Sequence, residues 1–292
     1  MKSAAFEYAR AASIAEVCDW LREDGDNTKL IAGGQSLVPM MAMRLTRPAR
    51  LININEIDAL KFIRVEKEFA RTGACTRQCV VARDSALAQA VPLLKQALEW
   101  VGHVQTRNRG TVGGSLVHAD PAAEMPLVAQ ILGAQMVLRS HAGTRTVNAA
   151  DFFEGPLATA TRADECLEEI RWPVWTEKRT GSAFTEISRR HGDFALVAAA
   201  AQIAVDGNGT CTRASFGLAG GGYIPMAFPD LAARLIGTKL EDEVVQAVVN
   251  DAATAFDPGG DLHASPEYRR QLATVLATRM LRAAYDGARK AS

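Results

Sequence analysis

The sequence predicts an α+β protein in two domains, and three observations lead there. Its 292 residues exceed one ordinary domain, which runs to roughly 100–200 residues. Strand-like segments dominate the first part and helical ones the last. No regular βαβα alternation appears, which argues against a doubly wound sheet. A boundary is expected near Trp172-Pro-Val-Trp175, dividing the chain into residues 1–175 and 176–292.

Ser13-Ile-Ala-Glu16 has capping-box spacing, and Ile14, Val17 and Leu21 then recur at helical intervals until Gly25 stops the pattern. Lys29-Leu-Ile-Ala32 reads as a buried strand running into a Gly-Gly turn, and Leu51–Asn55 alternates in the strand manner. Further strands are expected at Phe62–Val65 and Phe69–Thr72. Ser85 opens a helical region with Leu93, Leu94, Ala97, Leu98 and Val101 on one face, ending at Gly102. Pro92 either bends that helix or marks its true start. Strand, turn and strand follow from Gln135 through His141-Ala-Gly143 to Val147, and Cys166–Val174 alternates again. The clearest hairpin joins Ala201–Val205 to Cys211–Leu218 through Asp206-Gly-Asn-Gly209, whose glycines supply the positive φ of tight turns. Everything after Pro229 reads as helical. Ser265-Pro266 caps the last helix, and Leu272, Val275, Leu276, Met280 and Leu281 are expected on its core face.

Composition excludes several classes. The 33 basic and 33 acidic residues cancel, so there is no long-range field of the kind that draws a protein to nucleic acid, and any phosphate is held locally. Uncharged stretches such as Leu30–Met43 and Met125–Leu138 fall short of the roughly 18 apolar residues of a membrane span. Lys2 is followed by Glu7 and Arg10 before any apolar run, the wrong pattern for a secretory signal, so a cytoplasmic location is expected. The five cysteines are scattered; only Cys75 and Cys79 are close, and no second pair completes a metal site. They read as small hydrophobic residues, with no metal site and no iron–sulfur cluster in this chain.

Two segments resemble each other: Ala32-Gly33-Gly34-Gln35-Ser36-Leu37 and Val112-Gly113-Gly114-Ser115-Leu116. Glycine pairs let the backbone turn without a Cβ, and successive N–H groups then converge on a concavity that attracts an anion. Two such loops suit a diphosphate gripped from both sides; a pair of ordinary tight turns is the other reading. The Rossmann fingerprint, P-loop, HExxH motif and nucleophile elbow are all absent from the sequence.

Ala32–Ser36, Arg107-Asn-Arg-Gly-Thr-Val-Gly-Gly-Ser-Leu116, His118-Ala-Asp-Pro-Ala-Ala-Glu124 and Arg189-Arg-His-Gly-Asp-Phe-Ala195 occur in that order. Together they resemble the FAD-binding medium subunit of molybdenum hydroxylases, the carbon monoxide dehydrogenase and xanthine dehydrogenase group. The similarity runs over the whole chain, including Phe216–Gly222 and Tyr268-Arg-Arg. It implies a vanillyl-alcohol-oxidase (PCMH)-type FAD-binding domain followed by a smaller α+β C-terminal domain. It also implies that Ala32–Ser36 and Thr111–Ser115 wrap the pyrophosphate of a non-covalently bound FAD, and that Glu124 lies near the ribose. Leu167 and Phe194 match positions near the flavin rings, although core packing accounts for each equally well. Thr185-Glu186 stands where several relatives have a lysine, and a negative charge there would disfavour an anionic reduced flavin. No catalytic side chain is expected, and His118 reads as structural. The implied function is an electron-transfer subunit working with an iron–sulfur small subunit that holds [2Fe-2S] clusters and a large subunit that holds molybdopterin, in a dimer of heterotrimers. A stand-alone flavoprotein dehydrogenase and a non-catalytic FAD-binding module are the alternatives.

Overall fold

The computed structural model describes residues 2–291. Its first layer is a parallel three-stranded sheet: β1 (Glu7–Arg10), then α1 (Ile14–Asp24), β2 (Thr28–Ile31), α2 (Leu37–Ala42) and β3 (Arg50–Asn53), with β3 central. The cap expected at Ser13 forms, and Glu16 reaches back past it to the preceding residue. Ser13 Oγ accepts the Glu16 N–H at 3.2 Å, and the Glu16 carboxylate accepts the Ala12 N–H at 2.7 Å.

Beyond it lie β4 (Ile63–Val65) and β5 (Phe69–Gly73), then six helices: α3 (Gln78–Arg83), α4 (Ser85–Ala90), α5 (Pro92–Leu98), α6 (Val104–Arg109), α7 (Val112–His118) and α8 (Glu124–Leu132). Next come β6 (Gln135–Ser140), β7 (Gly143–Asn148), α9 (Ala149–Phe152), β8 (Phe153–Gly155), β9 (Ala158–Thr159) and β10 (Cys166–Pro173). Strands β4-β5-β10-β6-β7 form one antiparallel sheet. Its centre is the fully buried Trp172, whose indole N–H donates to Thr72 Oγ1 at 3.0 Å. Pro92 opens α5 at its first turn, which decides between the two roles open to it.

The second unit is the antiparallel sheet β11 (Thr180–Ile187), β12 (Val197–Val205), β13 (Cys211–Ala219) and β14 (Met226–Ala227), followed by α10 (Pro229–Ala233), α11 (Asp242–Phe256) and α12 (Pro266–Lys290). The expected β12–β13 hairpin is present in antiparallel register, Ala201 opposite Phe216. Helix α12 lies close against β11 because Gly181 has no side chain: a Cβ there would collide with the Ala284 carbonyl oxygen.

Two expectations change. The first part is not dominated by strands, because six- to nine-residue helices fill residues 78–132; such helices span too few turns to display an apolar period. On α12, Val275 is 38% exposed, while Ala273, Leu276, Ala277, Leu281 and Ala284 are buried. The core stripe is made largely of alanines, which let the helix approach the sheet, and Val275 lies to one side of it.

Candidate cofactor-binding site

The loop Ala32–Ser36 leaves β2 and enters α2. Asn55 fixes its start: its side-chain amide donates to the Ala32 carbonyl at 2.7 Å and the Ile31 carbonyl at 3.3 Å. Gly34 takes φ +71°, the left-handed conformation that favours glycine. Gly33 serves close approach: a Cβ would lie 2.6 Å from the Arg109 carbonyl oxygen and 2.8 Å from Gly110 Cα. The first glycine loop therefore rests directly on the backbone that leads into the second.

Among the described residues, no acceptor in the chain takes the backbone N–H of Gly33, Gly34, Gln35 or Ser36. The loop opens on a cavity of about 530 Å³ lined also by Tyr8, Asn53, Asn55 and Arg109. Four consecutive donors without a partner among the described residues, three of them on residues that line the cavity, suit a phosphate-bearing ligand.

The second loop is built differently. Thr111 caps α7, accepting the Gly114 N–H on Oγ1 at 3.0 Å. Val112 N–H donates to the Thr76 carbonyl, Gly113 N–H to the Ala74 carbonyl and Ser115 N–H to the Thr111 carbonyl. Neither Gly113 nor Gly114 has positive φ. The nest expected at Val112–Ser115 is thus a capped helix start whose donors are already engaged. Its glycines serve packing, since a Cβ on Gly113 would meet Ala74 at 2.6 Å. What this segment offers a ligand is the exposed backbone of Gly114 and the half-exposed Ser115 side chain.

Arg77 and Asn55, which no local pattern in the sequence singles out, tie the two loops together. The Arg77 guanidinium donates to Asn55 Oδ1 at 2.7 Å and to the Arg109 carbonyl. Burial lowers the Arg77 pKa, and the neighbouring Arg109 charge lowers it further.

Glu124 opens α8 and is 8% exposed. Burial, with a smaller contribution from Asp120, pushes its carboxyl up to about 7 against the pull of its own backbone N–H and Arg107. It is no solvated surface charge. Glu186, on β11, is 3% exposed and pushed up to about 8 by burial and by the charge of Glu124. The negative charge expected there is therefore largely masked by a proton near neutral pH.

These carboxyls give the chain a signed pH dependence. Above the ordinary carboxylate range the unfolded chain ionises both, while the folded chain keeps their protons until about 7 and about 8. The unfolded state then binds fewer protons, so stability falls as pH rises, by about 1.4 kcal/mol per pH unit for each such group. Denaturant titrations of the apo chain should show wild type losing stability relative to an E124Q/E186Q variant between about pH 5 and 8, and flattening above. A pH-independent difference would mean that both carboxyls ionise freely.

Leu167 is 5% exposed in the first core, at a bulge of β10. Phe194 is 61% exposed in the β11–β12 connection, so core packing does not explain it. His118, half-buried, has its pKa lowered by burial. Among the described residues, no group of three or more His, Cys, Asp and Glu side chains is placed to hold a metal ion. None of the described helices is long and apolar enough to cross a membrane.

Comparison with known proteins agrees with this geometry. Residues 4–175 match the family described as the FAD binding domain in molybdopterin dehydrogenase, and residues 182–284 match the CO dehydrogenase flavoprotein C-terminal domain. The chain is 35% identical over 289 residues to the 6-hydroxypseudooxynicotine dehydrogenase complex subunit alpha of Paenarthrobacter nicotinovorans, covering 99% of this chain and 97% of that one. It is 33% identical over 280 residues to the carbon monoxide dehydrogenase medium chain of Hydrogenophaga pseudoflava, covering 96% and 97%. Among solved structures, quinoline 2-oxidoreductase from Pseudomonas putida 86 superposes with a TM-score of 0.93 at 35% identity, covering 99% of this chain and 100% of that one. Carbon monoxide dehydrogenase from Hydrogenophaga pseudoflava does so with a TM-score of 0.95 at 33% identity, covering 98% and 99%. With both halves matched in order and relatives aligned from end to end, the chain belongs to the FAD-binding medium subunits of the molybdenum hydroxylases, the carbon monoxide dehydrogenase family.

Proposed function

We propose that this chain carries FAD as the electron-transfer subunit of a multi-subunit molybdenum hydroxylase. It accepts electrons from an iron–sulfur small subunit and passes them to an external acceptor, while the substrate is oxidised on a molybdenum-cofactor large subunit. The observation that supports the reading is the run of N–H groups at Gly33–Ser36 that take no partner among the described residues, on a loop whose Gly33, Gly34 and Gln35 line the 530 Å³ cavity. Flavin suits the position because it takes electrons singly and releases them as a pair.

The residues divide the work. Gly33–Ser36 donate to the pyrophosphate, Gly114 and Ser115 close on it from the other side, and Asn55 and Arg77 hold the two loops in register. Val112 and Gly113 seat α7, and Thr111 caps it. Glu124 and Glu186 supply buried polar groups, and the exposed Phe194 is free to lie against the flavin rings. Residues 1–175 form the FAD-binding domain and residues 176–292 the C-terminal flavoprotein domain, in a cytoplasmic dimer of heterotrimers.

The purified chain should bind one FAD and release it intact on acid precipitation, read as flavin absorbance in the supernatant. Flavin retained in the denatured pellet would defeat non-covalent binding. Stoichiometric flavin reduction by a small-molecule substrate in the single chain would favour a stand-alone dehydrogenase.

A further inference from the structure

The cavity beside the first glycine loop has an aromatic wall that phosphate binding alone leaves unused. Tyr8, on β1, is 49% exposed and lines that cavity. Its hydroxyl is fixed from within the fold, where Asn53 Nδ2 donates to it at 2.9 Å. Asn53 Oδ1 in turn accepts the backbone N–H of Asn55 at 2.9 Å and its side-chain amide at 2.7 Å, and the same amide donates to the Ala32 carbonyl at 2.7 Å. A continuous line of hydrogen bonds therefore sets the Tyr8 ring against the start of the loop. Held by strand pairing at one end and by Asn53 at the other, the side chain has little freedom left to lose when a ligand lies on it.

The surroundings suit a flat ring joined to a phosphate. Ile31 and Asn53 are the last residues of β2 and β3, which run parallel, and ligands of open parallel sheets sit outside the carboxyl ends of the strands. Ile31 and Val38 line the cavity and flank the loop, each with a side-chain carbon 3.2 Å from where a Gly34 Cβ would stand. Aliphatic groups and an aromatic ring take the face of a base, and side-chain amides such as those of Asn53 and Asn55 meet its polar edge. The hydrogen of the Tyr8 hydroxyl has no acceptor among the described residues and is left to donate.

The described residues lining this cavity run from Tyr8 to Arg109. Leu167 and Phe194, the positions expected near the flavin rings, belong to β10 and to the β11–β12 connection and do not border it. Of the two ends of FAD, the one at this cavity is then the adenosine. Resting on the reading that this chain binds FAD, we propose that Tyr8 is the base wall of the site: the adenine lies against its ring, and the cavity holds the adenosine diphosphate half. Tyr8 thereby makes the chain prefer the dinucleotide to FMN, which has a phosphate but no adenosine.

The test is titration of the apo chain with FAD, FMN and ADP, by flavin fluorescence and calorimetry, for wild type, Y8A, Y8L and Y8F, with circular dichroism to confirm folding. ADP should compete with FAD, and FMN should bind at least about a hundredfold more weakly than FAD. Y8A and Y8L should each lose about tenfold for FAD and for ADP alike, the effect of removing one stacking ring, and leave the weak FMN affinity unchanged. Y8F keeps the ring and should stay within about threefold of wild type. Should Y8A fail to fold, Y8L and Y8F decide the matter.

ADP that does not compete, or FMN bound as tightly as FAD, would overturn the placement of adenosine in this cavity and leave FAD binding intact. A Y8F variant as weak as Y8L would overturn the base wall and make Tyr8 a strut for Asn53. Equal FAD and ADP affinities in wild type and Y8L would overturn any part for Tyr8. Failure of wild type to bind FAD would overturn the flavin reading and this assignment with it.

Discussion

Replacing Gly33 by valine is expected to lower FAD affinity at least about a hundredfold while the second sheet and its helices stay folded. The cause is backbone against backbone. A Cβ at Gly33 would lie 2.6 Å from the Arg109 carbonyl oxygen and 2.8 Å from Gly110 Cα, and neither can rotate away. The loop must lift from the start of α7, a rearrangement that costs on the order of 1–3 kcal/mol in a well-packed region. The N–H donors of Gly33–Ser36 are then displaced from the ligand together. Hydrogen bonds to charged groups contribute about 1.5–3 kcal/mol each, so misaligning even two of them accounts for the hundredfold.

Gly34→Ala should be milder. Its φ of +71° strains an alanine, yet the neighbours a Cβ would meet are the flexible side chains of Ile31 and Val38 at 3.2 Å. A left-handed non-glycine residue costs roughly 1–2 kcal/mol. Ser115→Ala removes one hydroxyl and should be milder still. Fluorescence titration of FAD against the three variants, with circular dichroism to confirm folding, should return that order. Wild-type affinity in Gly33→Val would show that the first loop does not hold the nucleotide.

The same two glycine pairs show where sequence reading stops. Their spacing was visible, and so was the possibility of an anion nest. Their difference was not, because it depends on partners far away in the chain: Ala74 and Thr76 accept the N–H groups of Gly113 and Val112, whereas nothing among the described residues takes those of Gly33–Ser36. Helix α7 escaped notice because seven residues with two glycines have poor intrinsic helicity. It persists through the Thr111 cap and those carbonyls. Thr111-x-x-Gly114 gave one faint signal, a capping threonine with its partner N–H three residues on. Local features such as the helix cap at Ser13 and the hairpin at Asp206–Gly209 were legible, since their determinants lie within a few residues. Glu186 stood out in the sequence only as an acid in place of a lysine. Its burial, which lets it hold a proton, comes from the face that β11 turns to the first core, where Phe184 lies beside Trp100.

Arg77→Ala should be the second severe substitution, for a reason the sequence hides entirely. Arg77 is separated by 22 residues from Asn55 and by 32 from Arg109, the two partners its guanidinium bridges. Removing it strands the Asn55 oxygen and the Arg109 carbonyl at the junction of both loops. Asn55 in turn holds the Ala32 carbonyl, so the disturbance reaches the start of the nest. Each stranded partner costs about 1–3 kcal/mol, and two together correspond to a loss of roughly 30-fold or more in FAD affinity. Arg77→Lys separates charge from geometry. An ammonium on a flexible stem keeps the positive charge but cannot present the planar fork that reaches both acceptors at once. If Arg77 acts by joining the loops, the lysine variant should recover only part of the affinity, and neither variant should change the salt dependence of binding. Full recovery by lysine, with a salt slope that flattens only in the alanine variant, would recast Arg77 as a charge that attracts the nucleotide.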